Sequence, residues 1–178
     1  MLTVPTFWTP RRRRGEKITL LEGRGSILDV DGKVIEESPW MPNSLADEGE
    51  QNVLNTWLLE QAHLSKYLAL LTVDPSETTT MATMTELLGG PGTGGYSRQQ
   101  GTSGQWITPA LNAGDYQTEL AEKTFGPATV PWVAFNNVAM VTTATGTAGK
   151  FLLFVALSGA TSLLIGQSFK YTLRVKAQ

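Results

Sequence analysis

At 178 residues, with 41% hydrophobic residues, 17% charged residues and a formal net charge of −2, the chain suits one domain with a single core plus an extension. That charge balance argues against a dedicated nucleic-acid binder in the globular part. The lack of cysteine excludes a disulfide framework, thiolate metal sites and cysteine nucleophiles, and the single histidine, His63, nearly closes off histidine triads and zinc sites.

Residues 1 to 17 read as an extended arm, with Pro5, Phe7, Trp8 and Pro10 ahead of Arg11, Arg12, Arg13 and Arg14. The basic run has no apolar segment behind it, so no secretory leader is expected. Four consecutive arginines can neutralise phosphates. The competing reading, which we prefer, docks Phe7 and Trp8 on a neighbouring subunit while the arginines meet its carboxylates.

Residues 18 to 37 are predicted to form a hairpin. Ser26–Val30 and Lys33–Glu36 flank Asp31-Gly32, the dipeptide of a tight I′ turn. Asp29-Val30-Asp31 could hold a metal ion, but no Ser/Thr, Lys and acidic cluster of that type follows, and a turn aspartate is the simpler reading. The prolines of Ser38-Pro39-Trp40-Met41-Pro42 predict a linker.

Asn43 or Ser44 is expected to cap a helix, with Asp47, Glu48 and Glu50 in its first turns and Val53, Leu54, Trp57 and Leu58 on one apolar face. His63 then reads as a cap or surface residue. Tyr67–Val73 is an unbroken apolar run bounded by Asp74-Pro75, as a buried strand would be. Residues 78 to 88 suggest a loop with a short helical turn. The Gly-rich segment 89–95 lacks the Gly-Lys-Ser/Thr ending of a phosphate cradle, and so reads as a flexible surface loop before Tyr96. Trp106-Ile107 continues the sheet pattern.

Residues 112 to 123 are polar, with Asp115, Glu119 and Glu122 at helix-like spacing, and are read as a surface insertion whose carboxylates could pair with a neighbour's arginines. The C-terminal third reads as strand: 130–138, a turn at 142–149, 151–157, and 169–176. The last alternates faultlessly, with Lys170, Thr172, Arg174 and Lys176 on a face solvated by default. The apolar window 151–165 is interrupted by Ser158-Gly159-Ala160-Thr161-Ser162, and is shorter than the about 20 residues that span a bilayer; no membrane partner is expected. Short strands with turns between them and one early helix give a mainly β fold: an antiparallel, jelly-roll-like β-sandwich with one α-helix on its N-terminal side and an extended N-terminal arm. Residues 1–42 form the arm and hairpin extension, and 43–178 the sandwich domain.

From Asn43 onward, the order of features resembles a family of small virion proteins of tailed double-stranded DNA bacteriophages, often labelled tail-fibre-like or minor structural proteins. The resemblance runs through Ser44-Leu45-Ala46-Asp47-Glu48-Gly49-Glu50-Gln51-Asn52, Tyr67–Thr72 with Asp74-Pro75, and Gly94-Gly95-Tyr96-Ser97-Arg98-Gln99 with Trp106 downstream. It ends with Phe125-Gly126-Pro127-Ala128-Thr129-Val130, two apolar strands around Thr145-Gly146, and a Gly166-Gln167 turn. It covers about three quarters of the chain; the arm, the hairpin and the insertion at 112–123 depart from it.

The resemblance implies a non-enzymatic structural protein of a phage particle, without cofactor or metal. It would be assembled in the bacterial host cytoplasm and would sit on the capsid, tail or head–tail joint. Its expected partners are copies of itself, with a trimer as one form by analogy of fold, and other virion proteins. Phe7, Trp8 and Arg11–Arg14, with Asp115 and Glu119, are the expected partner contacts. An alternative is a host-adhesion module holding a glycan on Tyr96 or Trp106. A glycosidase-type carboxylate pair, Asp115 with Glu119, is the weakest reading.

Overall fold

The computed structural model describes residues 21–59, 62, 64–112 and 115–177. The arm, with Phe7, Trp8 and Arg11–Arg14, lies outside the described residues, as does His63.

The strands are β1 (Leu21–Leu28), β2 (Val34–Glu37), β3 (Met41–Leu45), β4 (Tyr67–Leu71), β5 (Gln99–Gln100), β6 (Ala110–Asn112), β7 (Asp115–Glu119), β8 (Lys123–Phe125), β9 (Trp132–Val141), β10 (Phe151–Leu163) and β11 (Ser168–Ala177), with helix α1 (Asp47–Leu58) after β3. All pairings are antiparallel. One sheet runs β5-β4-β9-β10-β3 and the other β3-β1-β11-β7-β6, with β2 beside β1 and β8 beside β11. β3 belongs to both: Met41 and Pro42 pair with β1, then Asn43–Leu45 with β10. The fold is the expected mainly β, sandwich-like arrangement.

The core between the sheets is aromatic. Phe135 meets Phe169 edge-on at 5.1 Å, Tyr96 meets Trp132 edge-on at 5.8 Å, and Phe125 lies against both Tyr96 and Phe169. These are the favoured geometries for aromatic quadrupoles. The unbroken apolar runs Tyr67–Leu71 of β4 and Val138–Val141 of β9 have a separate cause. Leu68, Leu70, Val138 and Met140 face the aromatic core, whereas Ala69, Leu71, Ala139 and Val141 face a second cluster with Ala46, Met81 and Phe151. Strands buried on both faces cannot alternate. β1 carries Gly23 and Gly25 because large rings cross beneath it: a Cβ on Gly23 would fall 1.6 Å from the Tyr171 hydroxyl, and one on Gly25 2.4 Å from the Phe169 ring.

Several expectations need correction. Asp31 does not take the positive φ that a I′ turn requires; only Gly32 does, at +78°. Gly32 N donates to the Asp29 carbonyl, and Asp29 Oδ1 accepts from the Asp31 and Lys33 amides. The turn is thus closed by an aspartate and loosened by one glycine bulge. Met41-Pro42 is not linker but the start of β3, at the point where that strand changes sheets.

Helix α1 is not capped by Asn43 or Ser44, which pair in β3. Its N-cap is Ala46, with no side-chain bond; the Glu77 carbonyl accepts from Asp47 N, and Glu48 Oε2 accepts from Phe151 N. Val53, expected on a buried face, is 46% exposed. The helix instead approaches β10 at Gly49, where a Cβ would lie 1.8 Å from the Leu152 carbonyl oxygen. The described part of 112–123, whose acids stand at helix-like spacing, is largely strand. A four-residue interval returns to one face of a strand as well as of a helix, and Tyr116 and Thr118 are β-formers lying beside the edge of β11. Ser158–Ser162 does not end its strand either; β10 runs on through a bulge to Leu163.

Candidate interaction surface

Glu119 on β7 stands directly opposite Arg174 on β11. Its Oε1 accepts from Arg174 Nε at 2.7 Å and lies 2.6 Å from Nη2. Arg174 Nη1 lies 3.5 Å from Glu22 Oε2, and its guanidinium sits 3.7 Å from the centre of the Trp40 ring. Arg24 also lies over Trp40, at 5.2 Å, and pairs with Glu37 at 3.3 Å. Along the same face of β11, Lys170 pairs with Glu122 at 2.6 Å. The face expected to be solvated is therefore neutralised from neighbouring strands. Asp115 begins β7, its backbone opposite Asn112, so the two expected carboxylates share one short strand at the outer end of the sheet.

A second network escaped the sequence reading. Glu86 and Arg98 are buried, their side chains 6% and 2% exposed. Glu86 accepts from Arg98 Nε at 2.9 Å, from Arg98 Nη2 at 2.6 Å and from the Tyr96 hydroxyl at 2.6 Å. Arg98 also donates to the carbonyls of Thr143 and Gly146, each at 3.0 Å, and the Tyr96 hydroxyl accepts from Leu70 N. A buried charge is tolerable only when paired and hydrogen-bonded in this way. Burial, and next the Glu86 carboxylate, hold the Tyr96 hydroxyl well above its ordinary pKa.

The network ties the start of the Gly-rich segment to the 142–149 turn. Trp132 Nε1 donates to the Gly94 carbonyl at 2.8 Å, so the segment is anchored at its other end too. Nothing in the twelve-residue interval between Glu86 and Arg98 announces the pair; only the fold brings them together. Tyr96, 1% exposed, is removed as a glycan platform, and Trp106 is half-buried against the core.

A cleft of about 120 Å³ opens between β1, β2 and the bulged half of β10. One wall is the Ser158–Ala160 stretch of β10, the other carries Glu36 and Ser38, and Ile27, Leu157 and Phe169 line the interior. Pairing of β10 with β3 ends at Val155, and its register with β9 jumps from Ala156 to Thr161. Residues 157–160 thus lie outside the register of either neighbour, and 158–160 are exposed. The opposite wall is equally bare: every residue of β2 is exposed.

Among the described residues, no group of three or more His, Asp or Glu side chains is placed to hold a metal ion, and no helix is long and apolar enough to cross a membrane. Residues 44–174 match the model of a family described as podophage GP4 fiber I protein gp80. No curated protein and no solved structure matches the chain.

Proposed function

The chain belongs to the podophage GP4 fiber I protein gp80 family, and from that membership we propose how it serves as a structural protein of a phage particle. It is a virion component that associates with other virion proteins. Its finer role is non-enzymatic: the sandwich is a rigid body that decorates the tail, capsid or head–tail region in several copies. The arm at 1–17 is its clasp. Phe7 and Trp8 supply apolar anchors and Arg11–Arg14 the charge, the residue types that dominate protein interfaces.

The match to 44–174 carries this reading, because it leaves the arm and the β1–β2 hairpin outside the common domain. Segments added to a shared domain are where attachment is adapted to a particular neighbour; β1 is itself a paired strand of the second sheet, so the arm at 1–17 is the adapting extension. Glu119 fits the acceptor role: its contacts with Arg174 run through Oε1, and Asp115 lies on the same short strand. Electron microscopy of intact particles carrying a tagged copy tests the proposal. Density for the tag at a fixed, symmetric position on the particle is expected; tagged protein recovered only in the particle-free fraction contradicts it.

A further inference from the structure

We infer that the cleft between β2 and the bulged half of β10 receives the N-terminal arm of a second copy of this chain, laid in as an added strand. The inference rests on the clasp reading and supplies what that reading lacks, the surface that is clasped.

Three observations point to this occupant. The first is backbone. Residues 157–160 of β10 are out of register on both sides, and β2 is bare on its outer edge. Exposed edges are templates for a further strand, which natural proteins normally blunt or cover. The second is shape. Gly159 has nothing within 4 Å of the position a Cβ would take, and Ser158 and Ala160 are small. The cleft has a volume of about 120 Å³. Lined mostly by polar atoms and small side chains, the cleft has room for the backbone of an added strand.

The third observation is charge and direction. The hairpin from 29 to 37 carries four carboxylates against one lysine, and Glu36, on the cleft wall, has no ion-pair partner among the described residues. Four consecutive arginines follow Trp8 by three to six residues, about 10–20 Å along an extended chain. That reach takes them from the cleft to the hairpin. The arm joins β1 at Leu21, and the cleft is lined by Gly25–Ile27 further along that strand. An arm that clasps its neighbour, as proposed above, enters the neighbour's cleft rather than its own.

The native lack of cysteine makes a disulfide trap selective. Full-length Thr9→Cys and Ser158→Cys copies, carrying different tags, are mixed under mild oxidation. A mixed disulfide formed several-fold more readily than with a Ser76→Cys control copy supports the cleft. In parallel, Glu36→Lys should weaken self-association several-fold in sedimentation, with unchanged circular dichroism, and deletion of 1–17 should abolish it. If the deletion abolishes association while the trap stays at control level and Glu36→Lys is silent, the arm clasps another surface and the cleft assignment is overturned. If the deletion changes nothing, the clasp reading itself falls.

Discussion

Arg98 has a carboxylate, a hydroxyl and two carbonyls as polar partners, and their arrangement decides what its loss would do. Arg98→Met leaves Glu86 buried without its cation, a lesion that costs about 3–5 kcal/mol. Urea unfolding should show that loss, while Arg98→Lys should recover part of the charge but not the fork that reaches Thr143 and Gly146. Tyr171 is the opposite case. Its hydroxyl is buried with no hydrogen-bond partner among the described residues, in the space that Gly23 leaves. Removing an unsatisfied polar atom relieves its desolvation, so Tyr171→Phe should be neutral or raise stability by about 1 kcal/mol. Gly23→Ala, placing a methyl against that hydroxyl, should destabilise.

Both tyrosines also set an alkaline limit. Burial holds their protons above the ordinary value of 10.0, and at Tyr96 the Glu86 carboxylate adds to it. A raised folded pKa gives a contribution that is intact below the unfolded value and lost as pH climbs toward the folded one. Stability should therefore fall as pH rises past 10.0, and less steeply in Tyr171→Phe.

At the scale of elements, α1 offers a case where propensity and packing disagree in sign. Alanine is favoured over glycine inside a helix by about 1 kcal/mol. Gly49→Ala should nonetheless lower the melting temperature, because the added methyl would meet the Leu152 backbone, which cannot move without disturbing β10. A rise would mean the helix can lift off the sheet at little cost. β4 and β11 were legible in the sequence because each shows its burial directly: Tyr67–Leu71 is apolar throughout, and Phe169–Val175 alternates. β7 was not. Asp115 and Glu119 are four residues apart, an interval that two periodicities share, and the deciding fact is a partner strand more than fifty residues away. Ala46 likewise takes the cap position expected for Ser44, because Ser44 pairs opposite Phe154 in β3.

For the whole molecule, the sandwich and its family followed from an ordered set of weak features, none specific alone. What stayed hidden was everything created by closure: the Glu86–Arg98 pair, the stacking of Arg174 on Trp40, and the cleft between β2 and the bulged half of β10. Each depends on residues distant in sequence, so no local window contains it. The central claim is that the sandwich is carried on the particle by its arm. Particles grown with a version lacking residues 1–17, purified and quantified by mass spectrometry beside the full-length chain, test it directly. The account predicts that the truncated protein keeps its β-rich circular dichroism and is missing from the particles; its incorporation at the full-length level would contradict it.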